Sequence, residues 1–238
     1  MNDSLERYYA LVRREIETVL PDRVGSVLEI GCGAGATMAW VRTVRPVDYA
    51  VGAEIVPAMA ERARSVFDEV ITGDIEAQPL PTDRKFDTVI ALDVLEHLAD
   101  PWAMVRKLSL LLKDDGVFVA SVPNVGNWSV IFPLFFRGRW EYQDEGLLDR
   151  THLRFFDEPR ARALFEGAQF RIEKLDYVKN CPGRTPAQRW RVQKYLAPLL
   201  PRHVCGPPIG VGLNLSGPQY GIGTLNILLT HMFGLRSE

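Results

Sequence analysis

Apolar and polar residues follow two alternating patterns through the first half of the chain. Short runs that are almost wholly apolar, such as Phe86–Leu92 (FDTVIAL), are typical of strands buried on both faces of a parallel sheet. Between them lie stretches with apolar residues at helical spacing, such as Ala36–Val44. The alternation predicts an α/β fold with an open, doubly wound sheet that binds ligands at the carboxyl ends of its strands.

The same pattern predicts where each element begins and ends. The expected helices are Leu5–Leu20, Ala36–Val44, Pro57–Val66, Pro101–Leu112 and Glu158–Glu166. The expected strands are Val27–Gly31, Tyr49–Ala53, Glu69–Thr72, Phe86–Leu92, Val117–Val122, Phe170–Tyr177 and Thr224–Thr230. A turn at Asp114, Asp115 and Gly116 is expected before the fifth strand.

The pattern breaks after Pro123, where a long aromatic stretch without regular spacing, residues 124–154, predicts a lid or binding loop. We therefore expect a single domain over residues 1–238 with four parts. These are an N-terminal helix or lid (1–22), a cofactor-binding core (23–123), a substrate lid (124–157), and a C-terminal part that completes the sheet and carries a proline-rich insertion (158–238).

Composition narrows the choice of partners and compartment. The net charge of −2 gives no electrostatic reason to expect a nucleic acid. From Pro182 onward the chain has six basic residues and one acid, so this part has a net charge of +5. A peripheral contact with anionic lipid is therefore left open. The three cysteines form no metal-ligand or disulfide pattern, so no metal site is expected. No signal peptide or membrane helix is recognisable, and a cytoplasmic protein is predicted.

The stretch VLEIGCGAGA joins the first strand to a turn almost without side chains. Gly31, Gly33 and Ala36 fit the dinucleotide-binding pattern G-x-G-x-x-G/A. Glu29 precedes this turn by two residues and would repel a pyrophosphate, whereas it could attract an ammonium group or fix the amides of the loop. A simple capping role for Glu29 stays open.

Further acids follow the next three predicted strands. Glu54 ends the second strand at the distance where an acid would accept both ribose hydroxyls. Asp74 follows the third strand, where it could accept from an adenine amino group or only cap a helix. Asp93 follows the fourth strand within the run DVLEH. These acids are expected to converge at one edge of the sheet.

Five stretches of the chain resemble, in order, the motifs of class I S-adenosylmethionine-dependent methyltransferases. They are VLEIGCGAG, the acid in VGAEI, GDIEAQPLP, FDTVIALDVLEHLADPW and LLKDDGVFVASVPN. RYYALVRREI and GLLDRTHLRFFD are similar to a bacterial subgroup associated with cell-surface polysaccharide biosynthesis and related to quinone-biosynthesis O-methyltransferases. The resemblance covers about residues 5 to 178. It implies a Rossmann-like sheet of seven strands, mostly parallel, with Thr224–Thr230 as an antiparallel last strand.

The resemblance also implies a cofactor site for S-adenosylmethionine, with S-adenosylhomocysteine as product. The implied cofactor-binding residues are Glu29 for the ammonium, Gly31, Gly33 and Gly35 for the methionine moiety, Glu54 for the ribose, Asp74 and Ile75 for the adenine, Asp93 at the sulfonium end, and Tyr9 as part of a lid. Ile55, next to Glu54, is a further cofactor-binding candidate. Tyr9 could equally pack in the core of an amphipathic helix.

The implied reaction is in-line methyl transfer to a small-molecule, saccharide or lipid-linked acceptor, with O-methylation favoured and a homodimer left open. His152 and His97 are the candidate catalytic residues. His152 could act as a general base or only anchor the lid, and His97 fits a structural role better. The candidate substrate-binding residues are Asn124, Trp128, Arg150 and Arg154. The competing hypotheses are an NAD-dependent oxidoreductase and a non-catalytic, cofactor-binding scaffold subunit.

Overall fold

Seven strands and five α-helices make up the described part of the chain. The computed structural model describes residues 11–81, 83–178 and 224–230. The strands are β1 (Gly25–Ile30), β2 (Val47–Glu54), β3 (Glu69–Thr72), β4 (Phe86–Leu92), β5 (Leu112–Pro123), β6 (Arg171–Val178) and β7 (Thr224–Thr230). The helices are α1 (Ala36–Val44), α2 (Pro57–Ala63), α3 (Pro101–Ser109), α4 (Trp128–Arg137) and α5 (Glu158–Glu166), with 3₁₀ helices at Arg14–Thr18 and Leu95–His97.

The strands form one sheet in the order β3-β2-β1-β4-β5-β7-β6. The chain order reverses between β1 and β4, which lie side by side and pair in parallel. In doubly wound sheets, ligands bind at such a reversal, beyond the carboxyl ends of the strands. The α/β class and the Rossmann-like, mostly parallel sheet are confirmed, and the reversal lies where β1 runs into the glycine turn.

The last strand corrects the prediction from the sequence. β7 pairs in parallel with both β5 and β6 and is not antiparallel. A parallel neighbour requires a crossover of about a dozen residues or more, whereas a short hairpin suffices for an antiparallel one. Residues 179–223 separate β6 from β7, so the chain is long enough for a parallel return.

Both faces of the sheet are buried. Successive side chains of a strand point to opposite faces, and on each face they pack into a core. Leu28 and Ile30 pack into a core that also contains α3 and α5 residues such as Leu108 and Phe165. Val27, which directly precedes Leu28, belongs to the core on the other face with Met38 of α1. This two-sided burial explains why the central strands lack the apolar–polar alternation of a half-exposed sheet.

The N-terminal segment differs from the predicted helix. Within residues 11–20 only Arg14–Thr18 is helical, and it is a 3₁₀ helix. The backbone N–H of Arg13 donates to Thr37 Oγ1 (3.2 Å), and Arg13 has a non-helical φ of −83° and ψ of 66°. These contacts with residues distant in sequence override the helical spacing of the apolar positions. Tyr9 lies outside the described residues, as does the proline-rich stretch 182–218.

The aromatic stretch after β5 is more regular than predicted, because α4 lies within it. Asn127 caps this helix by accepting from Ser129 N (2.8 Å), and Gly138 ends it in the left-handed conformation with a φ of 59°. The fifth strand also begins earlier than predicted, at Leu112. The residues expected to form a turn, Asp114–Gly116, lie inside β5, where the pairing of β5 with β4 shifts in register between Phe86 and Thr88.

Candidate active site

The turn after β1 brings bare backbone to the reversal of the sheet. Gly31 has a φ of 68°, and a Cβ at this position would lie 2.3 Å from Cγ2 of Val94. Gly35 has a φ of 86° and caps α1. Glycine is required at both positions, since other residues rarely adopt this conformation. The result is a set of unobstructed backbone groups at the N-terminus of a helix, which can approach a ligand closely.

Glu29 lies directly below this turn and is almost completely buried. Its Oε2 has no hydrogen-bond partner among the described residues. Burial raises the pKa of this carboxyl to about 8. A buried carboxyl without a partner is costly unless a proton or a positive group compensates it. The site therefore fits a ligand that brings an ammonium group.

Glu54, at the end of β2, holds the turn in place. Its Oε2 accepts from the N–H of Gly33 (2.9 Å), and its Oε1 accepts from the N–H of Val56 (2.8 Å). Both carboxylate oxygens thus orient backbone amides around the glycine turn. The neighbouring Ile55 is largely exposed at this edge.

The residues after β3 form the outer part of the same edge. Asp74 is exposed, and its Oδ1 accepts from the N–H of Glu76 (2.9 Å), so it caps the turn that follows. Ile75 is buried and packs in the core beside the strand ends. Both the capping role and a contact with a ligand remain compatible with this position of Asp74.

Asp93 lies beside the reversal, at the end of β4. It is a non-glycine residue with a φ of 51°, a conformation that is uncommon and typical of functional sites. Its Oδ1 accepts from the hydroxyl of Ser121 (2.8 Å), and its Oδ2 accepts from Nη1 of Arg13 (2.5 Å). Sequence reasoning missed Arg13, because only the tertiary structure brings it to the end of β4.

Glu96, His97 and His152 come together next to Asp93. One ligand atom from each of the three side chains lies within 4.8 Å of the others, and the two imidazole rings meet edge to face. Glu96 is almost fully buried, and neither of its carboxylate oxygens has a hydrogen-bond partner among residues 11–81, 83–178 and 224–230. Burial, with a contribution from Asp93, raises the pKa of Glu96 well above its usual range. The sequence predicts no metal site, because its three cysteines form no metal-ligand pattern.

An open pocket of about 600 Å³ adjoins His152. It is lined by Tyr142, Arg150, His152, Leu153 and Phe155. The pocket combines two aromatic rings with one cation and one imidazole. The structure thus brings two predicted site residues, Arg150 and His152, into one cavity.

The other predicted substrate residues lie elsewhere. Asn124 is buried, and its Oδ1 accepts from the N–H of Gly126 (2.8 Å). Arg154 donates to the carbonyl of Ala99 and lies over the ring of Trp102. Trp128 is partly exposed on α4 and contacts the ring of Phe132. None of the three predicted residues lines the pocket.

The family of the chain follows from its sequence as a whole. Residues 4–175 match the family described as "Methyltransferase domain". The chain belongs to this methyltransferase family. The class I S-adenosylmethionine-dependent methyltransferase predicted from the motifs is therefore confirmed, as is its cofactor. The bacterial subgroup stays a prediction.

Two curated relatives match this methyltransferase over about half of its length or less. The 27-O-demethylrifamycin SV methyltransferase of Amycolatopsis mediterranei is 31% identical over 121 residues, which is 48% of the chain and 44% of that protein. The ubiquinone biosynthesis O-methyltransferase of Glaesserella parasuis is 32% identical over 106 residues, 41% of the chain and 45% of that protein. The matches thus span less than half the length of these relatives.

A solved structure shares the fold. A methyltransferase from Thermotoga maritima superimposes with a TM-score of 0.54 at 21% identity, covering 74% of the chain and 79% of that protein. Within residues 11–81, 83–178 and 224–230, the methyltransferase has no helix that is long and apolar enough to cross a membrane. The buried, unpartnered Oε2 of Glu29 beside the bare glycine turn fits the ammonium end of S-adenosylmethionine.

Proposed function

We propose that this methyltransferase O-methylates a small-molecule or sugar-containing acceptor by in-line transfer. The observation that carries the proposal is the pocket beside the sheet reversal, which combines the rings of Tyr142 and Phe155 with Arg150 and His152. The backbone N–H of Leu153 in the pocket wall donates to the carbonyl oxygen of Glu96 (2.8 Å), in the segment that follows β4. The proposed acceptor pocket therefore adjoins the strand end assigned to the cofactor.

The cofactor would be held by the residues around the glycine turn. Glu29 would bind the ammonium, and the turn at Gly31, Gly33 and Gly35 would receive the methionine moiety. Glu54 would orient that turn and the ribose, with Asp74, Ile55 and Ile75 near the base. When bound, S-adenosylmethionine supplies a methyl group already activated by the sulfonium. The task left to the protein is to position the acceptor and to handle its proton.

The acceptor would lie between the aromatic walls of the pocket. Tyr142 and Phe155 can stack on a flat ring or the apolar face of a sugar, and Arg150 can pair with a carboxylate or phosphate. Oxygen is favoured as the nucleophile because the two relatives above are named for O-methylation. We extend the proposal to a lid over residues 124–157, whose helix α4 exposes Phe135 and Phe136.

Positioning should contribute more than proton transfer. Holding the reacting atoms in line can lower a barrier by about 7–11 kcal/mol, whereas a general base contributes about 10²–10⁴-fold. A hydroxyl nucleophile still has to lose its proton. Burial, with a smaller effect of His97, lowers the pKa of His152, so its ring is neutral and able to accept a proton at neutral pH. The wall of the pocket at His152 is therefore the proposed place of proton removal.

The two competing hypotheses have less support. A dinucleotide would bring its pyrophosphate to the glycine turn, next to the buried carboxyl of Glu29, whose Oε2 has no hydrogen-bond partner in the described part of the chain. A scaffold subunit would have no use for a polar, open pocket next to the cofactor site. The ammonium-bearing cofactor explains Glu29, and an acceptor explains the pocket.

Calorimetry followed by a transfer assay tests the proposal. Purified protein should bind S-adenosylmethionine and S-adenosylhomocysteine but not NAD. In an assay that measures the formation of S-adenosylhomocysteine, it should methylate hydroxylated, anionic ring compounds from a panel of acceptors. Arg150→Ala should raise KM for such acceptors about tenfold or more, the effect of losing a bond to a charged group. Arg154→Ala is the matched control, because its guanidinium is bound to Ala99 outside the pocket.

Two results would contradict the proposal. Tight NAD binding without S-adenosylmethionine binding would reject the cofactor assignment. An Arg150→Ala variant with the KM of the Arg154→Ala control would place the acceptor elsewhere.

A further inference from the structure

We propose that Glu96, His97 and His152 bind a divalent transition-metal ion of the Zn²⁺ type in the wall of the acceptor pocket. Glu96 is 1% exposed, and within the part of the chain that the structure describes both of its carboxylate oxygens lack a hydrogen-bond partner. One atom from each of the two histidines lies within 4.8 Å of this carboxylate. A buried, unpartnered carboxylate is strongly unfavourable by itself, and a bound cation would compensate its charge.

The hydrogen bonds of the two histidines leave the same ring nitrogen available. Nδ1 of His152 lies 3.3 Å from the carbonyl oxygen of Leu147, to which it can only donate. Nδ1 of His97 lies 3.3 Å from the carbonyl oxygen of Thr151 and 3.2 Å from its hydroxyl. That hydroxyl donates its single proton to Oδ1 of Asp149 (2.7 Å), so Nδ1 of His97 is also a donor.

Both imidazoles therefore carry a proton on Nδ1 and a lone pair on Nε2. Metal-binding histidines typically show this arrangement, in which the second ring nitrogen donates to a carbonyl or carboxylate and fixes the tautomer. The chain from Asp149 through Thr151 to His97 would act as such an outer support. A pair of histidines packed only for burial would not require both rings to present the same nitrogen.

The backbone fixes the distance between the two segments that supply the ligands. The N–H groups of Leu153 and Arg154 donate to the carbonyl oxygen of Glu96, at 2.8 and 2.9 Å. His152 is thus held next to the 3₁₀ helix that carries Glu96 and His97. The three ligands are positioned by the fold before any ion binds.

The chemistry of the ligands indicates the class of ion. Two imidazoles and one carboxylate are the protein ligands of catalytic zinc sites, where a fourth position stays open for water or substrate. Mg²⁺ and Ca²⁺ prefer sites made of oxygen ligands. Since His152 also lines the pocket, an open position would face the acceptor.

The role of the ion rests on the proposed function. With the ion bound at Nε2, His152 would no longer accept a proton itself. A hydroxyl of the acceptor would bind at the open position, the cation would lower the pKa of that hydroxyl, and the proton would leave to solvent. The deprotonated oxygen of the acceptor would form the new bond to the methyl carbon as the carbon–sulfur bond breaks, and the sulfonium would become a neutral thioether. No oxidant or reductant takes part.

Calorimetric titration of chelator-treated full-length protein with ZnCl₂ tests the site without any turnover. One ion per chain should bind, and Co²⁺ should give the intense visible absorption of a four-coordinate site. Glu96→Gln and His152→Ala should abolish stoichiometric binding. Thr151→Val removes the hydroxyl of the outer support but keeps the carbonyl oxygen near Nδ1 of His97, so it should weaken binding by roughly tenfold, the lower end of the usual range.

Glu29→Gln is the matched control, because Glu29 is also a buried carboxyl with an unpartnered oxygen but lies at the glycine turn. This variant should bind Zn²⁺ like the wild type. Without metal, Glu96→Gln should unfold near the Tm of the wild type, since an amide of the same size replaces the carboxyl, and Zn²⁺ should no longer raise its Tm. A folding defect would instead lower that Tm.

Absence of stoichiometric binding, or equal binding by wild type and Glu96→Gln, would overturn the metal site. Zn²⁺ binding without methyl transfer to any acceptor would support the site and contradict the proposed function. Transfer that survives chelation but is lost in His152→Ala would make His152 itself the base and reject the role of the ion.

Discussion

The guanidinium of Arg13 lies 2.5 Å from the carboxylate of Asp93, although 80 positions separate them in the chain. Asp93 ends β4 at the reversal of the sheet, and Arg13 belongs to the segment that precedes β1. Both side chains are largely buried, and Glu15 also pairs with Arg13. The ion pair therefore connects the N-terminal segment directly to the site assigned to the cofactor.

Removing this arginine should destabilise the fold. Arg13→Ala would remove a cation that pairs with the buried carboxylate of Asp93, and breaking a buried pair in this way costs about 3–5 kcal/mol. Because the side chain of Arg13 keeps 14% exposure, we expect the lower end of that range. Urea denaturation followed by circular dichroism would measure the change in the free energy of unfolding.

Arg64→Ala provides the control for Arg13→Ala. Arg64 pairs with Glu61 at 3.0 Å, but both side chains are mostly exposed, so its loss should change stability by about 1 kcal/mol or less. Equal effects of the two substitutions would show that the pair between Arg13 and Asp93 is not a buried contact in solution.

A methyl group at the glycine turn should be more harmful than one at a helix end. Gly31→Ala places a Cβ 2.3 Å from Val94 in addition to the strain of a positive φ. Gly138→Ala has the same kind of φ but no atom within 4 Å, so it should cost only about 1–2 kcal/mol for the conformation. The measured difference between the two variants isolates the steric clash.

We expect S-adenosylmethionine to bind more weakly to Gly31→Ala, because the clash has to move the turn or Val94. Gly138→Ala should keep the wild-type affinity in calorimetry. A Gly31→Ala variant with unchanged stability and affinity would contradict the close packing at this turn.

The raised pKa of Glu29 predicts a pH-dependent affinity for the cofactor. Burial gives this carboxyl a pKa of about 8 in the folded protein without ligand, so it is protonated at neutral pH. An ammonium favours the ionised form, and binding therefore releases a proton. The affinity should rise with pH, by up to about tenfold per unit, until the ammonium itself begins to deprotonate near pH 7.7–8.0, roughly its usual range.

The slope of affinity against pH can be measured by calorimetry between about pH 5 and 7.5. Glu29→Gln should flatten it. Methylthioadenosine, which lacks the ammonium, should show no such slope with the wild-type protein. The same slope for both ligands would place the titrating group elsewhere.

The stability of the fold without ligand should respond to Glu29 in the opposite sense. Since the folded pKa is above that of an unfolded chain, the folded state binds the extra proton, and this contribution is lost as pH rises from about 4.5 to about 8. In Glu29→Gln the loss of stability over that interval should be smaller, as judged from urea midpoints at fixed ionic strength.

Asp87 should protect the fold against acid. Burial raises its pKa, but hydrogen bonds from Lys113 and from the hydroxyl and N–H of Ser26 outweigh this and lower it to about 2. A depressed folded pKa stabilises above the unfolded value, and the effect is lost as pH falls from about 4 to about 2. Asp87→Asn should remove this part of the acid transition.

Asp48→Asn is the matched control for the acid experiment. Asp48 pairs with Arg23 at 2.5 Å, but both side chains are more than half exposed, so water screens the pair. Its acid transition should stay close to that of the wild type. Identical acid transitions for Asp87→Asn and the wild type would contradict the role assigned to Asp87.

Local patterns were sufficient for the central part of the fold. The bounds of α1, α5, β3, β4 and β7 agree with the prediction, because each depends on the periodicity and end signals of its own residues. The acids after β1 to β4 were expected at one edge for the same reason, since parallel strands end on the same side. Motif resemblance then indicated the cofactor before any side-chain contact was known.

Contacts between distant segments decided the remainder. The direction of β7 depends on its neighbours β5 and β6, and the spacing within a strand is the same for both directions. Arg13 contacts Asp93, and His152 lies next to Glu96, only in the folded chain, where segments distant in sequence come together at the edge of the sheet. The periodicity of apolar residues predicts which side of an element is buried. The hydrophobic effect is non-directional, however, and does not specify which residues become neighbours. The partner of each buried charge is therefore determined by the packing of the whole chain.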